Sequence, residues 1–412
     1  MDTKALSLEE FFTLVTSLPK LTDTKHEELN SALNQVLSED IYAPFALPSF
    51  TNSAMDGYCI DASLWHDGDT FKIKGEIFTG MDVKEGLKEN ECFLITTGAK
   101  IPESIKKPSI IMKEDSKLEG DKVTFDPHAL EHSLRYKMHV RFKGENVKEK
   151  DLVLKAGTRL GFSELALLAS FGYKDIKVYV SPSIAIFSSG DEVLESNNTP
   201  SSLEEAKVYD INSHSIFLAL KTYGYRAKVA GHLKDSLEEY VNSLSKTLKE
   251  VDVVITSAGA SVGSKDYTKL ALERLGAKVL STKLLVKPGK PFLLSTLNIE
   301  GKLKFILSLP GNPNAAIMNT MLLIIPILKH INNTNPNFTK VTATNKIDFK
   351  ANPKLTINVL GVYEDGNFSI YKGGEINSSD IYAWSENNAI ASLAYKEAVN
   401  KNDKIEVILY KI

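Results

Sequence analysis

The segment that decides the fold of this chain is VDVVITSAGASVGSKDYTKLALERLG, residues 251–276. A short β-branched run leads into a loop of small residues, and the stretch from Tyr267 has apolar positions at helical spacing. Small loop residues leave backbone N–H groups open, and a helix N-terminus adds partial positive charge. The segment therefore predicts a strand–loop–helix unit whose loop cradles an anionic group. Its glycine spacing matches neither the P-loop nor the dinucleotide-binding fingerprint.

Strand and helix patterns alternate on both sides of this segment. In chain order they are SIAIFSS, DINSHSIFLALKTYG, YRAKVAGHL, SLEEYVNSLSKTLKE, VDVVITS, YTKLALERLG, KLKFILSL and NAAIMNTMLLIIPILKHI. Such alternation predicts a three-layer α/β domain, with a parallel sheet and helices on both faces. Ligands of these domains bind beyond the carboxyl ends of the strands, so we expect the ligand-binding residues in the loops at that edge.

Acidic residues occur in two of these loops. In IFSSGDEVLE, residues 186–195, Gly190 permits close approach of the backbone to a ligand. The adjacent Asp191 and Glu192 are either cation ligands or an ordinary acidic start to a helix. Asp266 ends the small-residue loop, where it either holds a cation or caps the following helix.

Proline–glycine turns occur in the other two loops. In VKPGKPF, residues 286–292, Pro288 and Pro291 stiffen the chain while the glycine between them lets it turn. Such a turn aims Lys287 and Lys290 at an oxyanion, unless both lysines are simply solvated. In LSLPGNPNAA, residues 307–316, a turn precedes Pro313, which suits the first turn of a helix.

Different patterns flank the α/β segment. Ser7 and Glu10 have capping-box spacing and predict a helix, and residues 26–43 predict a second helix running into a strand. Residues 163–170 predict a helix with Gly172 near its C-cap. We predict four parts, namely a linking domain at 1–26 and 147–180, a β-rich inserted domain at 27–146, the α/β domain at 181–331 and a barrel-like C-terminal β domain at 338–412.

Composition limits the classes of function. The net charge of −3 over 412 residues argues against a dedicated nucleic-acid binder. The two cysteines, Cys59 and Cys92, predict free thiols in a reducing compartment, because they are too few for a disulfide framework. The N-terminus does not look like a signal peptide. The run MLLIIPIL, residues 321–328, is well short of the ~20 residues of a membrane span. We expect a cytoplasmic protein without a membrane partner.

Two polar stretches lie in the β-rich region. PSFTNSAMDGYCI, residues 48–60, places a lone carboxylate, Asp56, between Met55 and a glycine, beside Tyr58. This stretch is too polar for a core strand and too short for a domain linker. LITTGAKIPE, residues 94–103, has polar residues directly after an apolar strand, and alone it predicts only a turn.

Six motifs taken together resemble one family. NSAMDGY, TTGAKIPE, SSGDEV, SAGASVGSKDYTK, KPGKP and LPGNP occur in the order and rough spacing of the molybdopterin molybdenumtransferases, a family that includes the C-terminal domain of gephyrin. The resemblance covers nearly the whole chain. SAMDGY is the most discriminating motif, because the related adenylyltransferases share only the α/β part.

The resemblance implies an elongated, four-part homodimer whose active cleft lies between subunits. The α/β domain, which would bind molybdopterin, would face the β-rich domain of the other subunit. The implied reaction takes adenylylated molybdopterin and molybdate, inserts the metal into the dithiolene and releases AMP with a divalent cation such as Mg²⁺. The implied partners are molybdopterin adenylyltransferase and molybdoenzyme chaperones, without nucleic acid.

The resemblance also implies which residues act. Five positions match the family's functional ones in side-chain type: Asp56, Thr97, Glu192, Asp235 and Asp266. The implied Mg²⁺ ligands are Asp266 and Glu192, together with Asp235. The implied substrate-binding residues are Ser53, Met55, Tyr58, Gly98, Ser189, Gly190, Asp191, Ser257, Gly259, Ser261, Gly263, Lys287, Pro288, Lys290, Pro291, Pro310, Gly311 and Asn312. Core packing is the alternative for Met55 and Tyr58, and a helix N-cap is the alternative for Asp235.

Two other functions compete with this one. A molybdopterin adenylyltransferase would fit the α/β segment, but SAMDGY and the additional β-rich regions count against it. A non-enzymatic scaffold or cofactor carrier would bind a partner and would not need the cleft. The five matching side chains favour the enzyme.

Overall fold

The computed structural model describes residues 3–136, 138–194, 207–257, 267–395 and 397–411. A π-helical turn, Thr320–Ile324, joins the seventh and eighth of its α-helices. In chain order the described α-helices are α1 (Leu8–Ser17), α2 (Pro127–Tyr136), α3 (Phe162–Ser170), α4 (Ile211–Thr222), α5 (Leu237–Glu250), α6 (Tyr267–Arg274), α7 (Pro313–Asn319), α8 (Ile325–Ile331) and α9 (Tyr382–Glu386).

The described strands are mostly short. In chain order they are β1 (Thr24–Glu28), β2 (Val36–Leu37), β3 (Ile41–Tyr42), β4 (Asn52–Ser53), β5 (Gly57–Asp61), β6 (Thr70–Ile77), β7 (Glu91–Ile95), β8 (Pro108–Met112), β9 (Ser116–Glu119), β10 (Lys122–Phe125), β11 (Val140–Arg141), β12 (Leu152–Leu154), β13 (Asp175–Tyr179), β14 (Ile184–Ser189), β15 (Val193–Leu194), β16 (Val208–Tyr209), β17 (Ala227–Leu233), β18 (Val253–Ser257), β19 (Lys278–Lys283), β20 (Val286–Lys287), β21 (Pro291–Ile299), β22 (Lys302–Leu309), β23 (Val341–Asn345), β24 (Phe349–Lys350), β25 (Thr356–Glu364), β26 (Asn367–Ile370), β27 (Ala389–Ala394), β28 (Ala398–Val399) and β29 (Lys404–Leu409).

The chain forms two compact units. The first comprises residues 1–38, 157–165 and 174–412, and the second comprises 39–156 and 166–173. The chain thus leaves the first unit after residue 38 and returns to it from residue 157. The boundaries of the four domains predicted from the sequence stay predictions.

The first unit contains the α/β domain, whose sheet has the order β17-β14-β18-β22-β21-β19. The first four strands are parallel, as the alternating pattern predicts. The expectation of a parallel sheet is wrong at one strand, because β21 runs antiparallel to both of its neighbours, β22 and β19. The cause is a two-residue hairpin: Glu300 and Gly301, with φ of 52° and 80°, connect β21 to β22 in the left-handed conformation that tight hairpins require.

Helices cover both faces of this sheet. On one face α5 and α6 pack through buried residues such as Leu244, Leu248 and Ala271. On the other face α1, α4 and the helix of α7 and α8 contribute Phe11, Ile216 and other buried residues. The strands between them are buried on both sides, which explains their continuous apolar character. The three-layer α/β prediction is confirmed in this respect.

One long apolar helix, from Pro313 to Ile331, occurs in the described part of the chain. Its 19 residues, with a mean hydropathy of 1.4, would be long and apolar enough to cross a membrane. However, 94% of the apolar stretch of this helix is buried inside the protein, as in a core helix. Pro326 lies within it, and because proline has no N–H for an i→i−4 bond, the preceding π-helical turn absorbs the irregularity.

The N-terminal segment confirms one prediction and corrects another. Ser7 and Glu10 form both hydrogen bonds of the capping box at the start of α1. The helix predicted at the start of residues 26–43 is wrong, because Thr24–Glu28 forms β1 and pairs antiparallel with β13, whereas the strand predicted at the end of this range is present as β3. Asn34, with φ of 66°, also interrupts any helix there. Pairing with a distant strand has overridden a weak local helix preference.

The C-terminal region of the first unit is a closed barrel. Strands β25, β26, β23, β29 and β27 follow one another, and β27 pairs back onto β25. This confirms the predicted barrel-like form. Strand β20, which precedes the Lys287–Pro291 turn, adds parallel to β25. The backbone of that turn is therefore attached to the barrel.

The second unit is built on a six-stranded sheet of order β8-β5-β7-β6-β10-β9. Tyr58 and Phe125 lie in the buried cluster on one side of it, and Phe93 and Ile110 lie in a second cluster. Cys59 and Cys92 are buried free thiols, as predicted, and burial raises the pKa of both.

An ion pair with additional hydrogen bonds links the starts of β14, β18 and β22 at the amino-terminal edge of the α/β sheet. The Asp252 carboxylate accepts hydrogen bonds from Ser183 N at 3.0 Å, from Ser183 Oγ at 2.7 Å and from Lys304 Nζ at 3.1 Å. Burial alone would raise the pKa of Asp252, but the bonds from Ser183 and the Lys304 ammonium together place it below its usual value. Lys304 is only 5% exposed, so this pair is a structural element.

We expect Asp252→Asn to lower the free energy of unfolding by about 2–4 kcal/mol at pH 7, because Lys304 would be left buried without a counter-charge. A carboxylate with a lowered pKa contributes stability above the unfolded-state pKa of about 4. That contribution is lost as the pH falls through the lower, folded-state pKa, so the difference between variant and wild type should shrink in acid. Urea unfolding at several pH values measures this difference in the free energy of unfolding.

Glu250→Gln, which removes an exposed partner of Lys228, is the control and should change stability by less than about 1 kcal/mol. Equal effects of the two substitutions would contradict this account.

Candidate functional site

In the second unit, Asp56 and Thr97 form a hydrogen-bonded pair at the protein surface. Thr97 donates to Asp56 Oδ1 from its backbone N at 2.7 Å and from Oγ1 at 2.8 Å. The backbone bond first, then the hydroxyl bond and the charge of Lys113, hold the pKa of Asp56 below its usual value. Asp56 is therefore a carboxylate whose Oδ1 is fixed, while Oδ2 has no partner among the described residues.

The backbone around this pair is held by the residues of the two polar stretches. Gly98 N donates to Ser53 O at 2.8 Å, and Ala99 N closes a turn onto Thr96 O at 3.0 Å. Gly98 has φ of 80°, which favours glycine at this position. The buried Ser53 donates its hydroxyl to Met55 O at 2.6 Å. Thus NSAMDGY and TTGAKIPE, which are distant in sequence, form one local structure.

Met55 and Tyr58, the two apolar residues proposed for substrate contact, differ in their environments. Met55 is 40% exposed and stays available for contact with a ligand. Tyr58 is only 4% exposed, and its ring packs against Phe125 with centroids 5.6 Å apart. Burial raises the pKa of Tyr58. The structure favours the core-packing alternative for Tyr58.

In the first unit, a turn at the carboxyl end of β14 places Glu192. Ser189 donates its hydroxyl to Ser257 O at 2.7 Å, which ties the ends of β14 and β18 together. Val193 N closes a turn onto Gly190 O at 3.0 Å. A Cβ at Gly190, where φ is 115°, would lie 2.7 Å from the Glu192 carboxylate oxygens. The glycine therefore makes room for that carboxylate.

Glu192 and Asp235 follow the ends of neighbouring parallel strands. Ser189 of β14 and Leu233 of β17 are register partners, and the two acids lie three and two residues beyond them. Both carboxylates are exposed, as is Asp191. The N-cap of α5 is Ser236, so helix capping does not explain Asp235.

The two proline–glycine turns lie at the same unit's surface. Lys287 and Lys290 are exposed, whereas Gly289 between them is buried with φ of 90°. Asn312 caps α7 by accepting a hydrogen bond from Ala315 N at 3.2 Å, with Pro313 at the first turn as predicted. Pro288 and Asn312 also line a cavity of about 680 Å³, together with residues of the C-terminal region that include Lys350, Asn358 and Trp384.

Several predicted residues lie outside the described part of the chain. These are Gly259, Ser261, Gly263 and Asp266, all within the loop between β18 and α6. The described residues contain no group of three or more His, Cys, Asp or Glu side chains that could hold a metal ion. The assignment of Mg²⁺ to Asp266, Glu192 and Asp235 therefore stays a prediction.

Two asparagines that contact the proline–glycine turns were not predicted from the sequence. Asn212 Nδ2 donates to Gly311 O at 2.9 Å. Asn319 Nδ2 donates to Gly289 O at 2.9 Å and to Pro291 O at 3.3 Å. Both lie inside helical patterns, where an asparagine gives no signal of a distant partner.

Comparison with known proteins places the chain in a family. A model described as the MoeA N-terminal region (domain I and II) matches residues 6–172, and one described as a probable molybdopterin binding domain matches residues 185–330. A molybdopterin molybdenumtransferase from Haemophilus influenzae is 33% identical over 338 residues, which cover 81% of this chain and 80% of that protein. The chain belongs to the molybdopterin molybdenumtransferase family.

Other relatives agree with this assignment. A molybdopterin molybdenumtransferase from Nostoc is 27% identical over 97% of this chain and 91% of its own length. The crystal structure of a molybdopterin biosynthesis protein from Pyrococcus horikoshii has a TM-score of 0.81 at 23% identity, covering 99% of this chain and 100% of that one. At that identity the structure supports the fold, and the sequence relatives support the family. The resemblance based on six motifs is confirmed.

Proposed function

We propose that this protein is an enzyme that inserts molybdate into adenylylated molybdopterin and releases AMP. The observation that carries the proposal is the Asp56–Thr97 pair, in which a fixed, ionised carboxylate is exposed at the motif that separates this family from the adenylyltransferases. Curated relatives at 27–33% identity bear the name of this activity. Molybdenum cofactor biosynthesis is the process to which the chain contributes.

The chain's own groups fit a reaction between two anionic substrates. Lys287 and Lys290, carried on a rigid turn, supply positive charge for an oxyanion. Backbone N–H groups at the carboxyl edge of the sheet would hold phosphate groups. In the reaction the two dithiolene thiols would bind molybdenum in place of an oxygen of molybdate, which takes up the thiol protons and leaves as water. Water would cleave the phosphoanhydride bond, so that AMP leaves and the phosphate stays on the pterin. Positioning and charge stabilisation would dominate, as in phosphoryl transfer generally.

The acidic residues fit a divalent cation such as Mg²⁺. Glu192 and Asp235 are exposed carboxylates that follow neighbouring strand ends, and Mg²⁺ is often held by one or two carboxylates together with substrate phosphates. When bound, the ion would offset negative charge on the phosphates. We propose Glu192, Asp235 and Asp266 as its ligands. Without the ion these acids would repel the substrate.

The remaining features of the resemblance are part of the same proposal. We propose a cytoplasmic homodimer, with molybdopterin adenylyltransferase as the supplier of substrate and molybdoenzyme chaperones as recipients of product. Light scattering of the purified protein tests the dimer, since a monomer at micromolar concentration would contradict it. No observation favours the adenylyltransferase alternative, and the family match over residues 6–172 counts against it.

A reconstitution tests the proposed function. Purified protein is mixed with adenylylated molybdopterin, molybdate and Mg²⁺, and AMP release is followed, with Asp266→Ala assayed in parallel. We expect release that depends on molybdate, falls when the cation is chelated and is lost in the variant. A folded protein that binds adenylylated molybdopterin but releases no AMP would overturn the enzyme assignment in favour of a scaffold or carrier.

A further inference from the structure

Asn319, the last residue of α7, lies against the turn that carries Lys287 and Lys290. It is only 1% exposed. Its Nδ2 group donates to Gly289 O at 2.9 Å and to Pro291 O at 3.3 Å, so both bonds go to the backbone of one turn. A buried amide gains nothing from water, and these two carbonyls are what its donors bind.

Gly289 and Asn319 fit each other sterically. A Cβ at residue 289 would lie 2.0 Å from Asn319 Oδ1 and 2.7 Å from its Cγ. Gly289 also has φ of 90°, in the region that favours glycine. The carboxamide of Asn319 therefore occupies the space of the missing side chain.

Apart from the bonds of Asn319, the described backbone contacts of this turn are at its two ends. On one side, Val286 and Lys287 pair with Thr356 and Ile357 as β20. On the other side, Leu284 N donates to Lys290 O at 2.8 Å. The carbonyls that Asn319 binds lie between and just beyond the two lysines. The amide thus holds the backbone at Gly289, between the two lysines, and at Pro291, directly after the second lysine.

The helix that carries Asn319 also begins at the second proline–glycine turn. Asn312 caps α7, and Asn212 holds the neighbouring Gly311 carbonyl at 2.9 Å. A short, buried helix therefore connects the two turns, with a π-helical turn directly after Asn319. Such turns frequently occur at functional sites, and here it occurs next to the residue that contacts the lysine turn.

We propose that Asn319 is a positioning residue for oxyanion binding, which acts by fixing the direction in which Lys287 and Lys290 project. The inference rests on the proposed function only in taking molybdate as the oxyanion. Loss of the amide would let the turn relax, and the two lysines would no longer be held in one arrangement. Affinity for the oxyanion would then fall more than the rate at saturation.

The test compares Asn319→Ala with a matched control, Asn345→Ala. Asn345 is also fully buried, and it also donates its Nδ2 group to two backbone carbonyls, those of Ile347 at 2.5 Å and Asn400 at 2.9 Å. It lies in the C-terminal barrel, away from both turns. The two substitutions remove equivalent bonds, so a merely structural role for Asn319 would give them the same phenotype. Asn319→Ser, whose hydroxyl is one bond shorter than the amide and cannot reach both carbonyls, replaces the alanine variant if that variant does not fold.

Three quantities are measured on the full-length protein: the Kd for molybdate by calorimetry, the KM for molybdate with kcat, and Tm. We expect both variants to lose similar stability, while only Asn319→Ala weakens molybdate binding, by about tenfold or more, with a smaller change in kcat. Molybdate binding by folded Asn319→Ala, or by Asn319→Ser, at wild-type affinity would overturn the inference. So would wild-type protein that binds no molybdate. A third outcome separates the two proposals. If the wild-type protein binds molybdate, Asn319→Ala binds it weakly and the wild-type protein releases no AMP, the inference is supported and the proposed function is refuted.

Discussion

Asp56→Asn is expected to lower molybdate-dependent AMP release by about 10²–10³-fold without a comparable loss of stability. Asparagine keeps the shape of the side chain and an oxygen that accepts from Thr97 N and Oγ1. It removes the negative charge that Thr97 and Lys113 stabilise and that Oδ2 presents to the surface. The substitution therefore separates the charge from the local structure. The rate at saturating substrate and the thermal unfolding curve are the two measurements.

Asp82→Asn is the matched control for this prediction. Asp82 is an exposed aspartate of the same unit, and its hydrogen bonds with Lys100 and Lys84 lower its pKa to about 2. It lies outside the six motifs, so its substitution should leave AMP release close to the wild-type rate. If Asp56→Asn were as active as Asp82→Asn, the Asp56 carboxylate would have no chemical role. A variant that loses AMP release but keeps a protein partner would show that catalysis and any scaffold role are separate.

The α/β domain was the most predictable part of the fold, and local pattern explains why. The strands from Ile184 to Ser189 and from Val253 to Ser257 are continuous apolar runs ended by polar residues, and helices follow them at regular spacing. Strand direction was less predictable. The two-residue turn at Glu300–Gly301 joins β21 to β22 as a hairpin, and β21 therefore runs opposite to the direction that a parallel sheet requires.

The error at residues 26–43 has a different cause. Residues Thr24–Glu28 have no strong preference of their own, and they become a strand because Asp175–Tyr179, about 150 residues later, offers its edge. A single sequence carries no sign of such a pairing. The capping box of α1, in contrast, involves residues three apart, and it was predicted correctly.

The candidate site shows the same limit. The motif resemblance indicated both Asp56 and Thr97 as functional residues although they are 41 residues apart, and the structure joins them by hydrogen bonds. The contact of Asn319 with Gly289 was missed, because nothing near either residue indicates the other. The glycine in KPGKP was explained by turn formation alone, yet the structure shows that it also makes room for a side chain from a distant helix. Close contacts between remote segments are what local reasoning cannot supply.

The largest expected effect on stability is that of Gly57→Ala, at about 3 kcal/mol or more. Gly57 is the first residue of β5, which lies between β7 and β8. A Cβ at this position would lie 2.2 Å from Ile111 O and 3.0 Å from Ile111 C, both backbone atoms of β8. No rotation of a side chain relieves such a contact, so the two strands would have to move apart. Because Gly57 follows Asp56 directly, the carboxylate would move with them.

Gly75→Ala is the control within the same sheet. A Cβ at Gly75 in β6 would approach only the ring of Phe93, at 3.9 Å, which is an ordinary contact. Where the backbone tolerates alanine, removing a glycine restricts the unfolded chain and is neutral or stabilising by up to about 1 kcal/mol. We therefore expect urea unfolding to show a large loss for Gly57→Ala and none for Gly75→Ala, and AMP release to fall only in the former. Similar stability of the two variants would mean that β5 and β8 separate easily, and that the packing at Gly57 does not fix the position of Asp56.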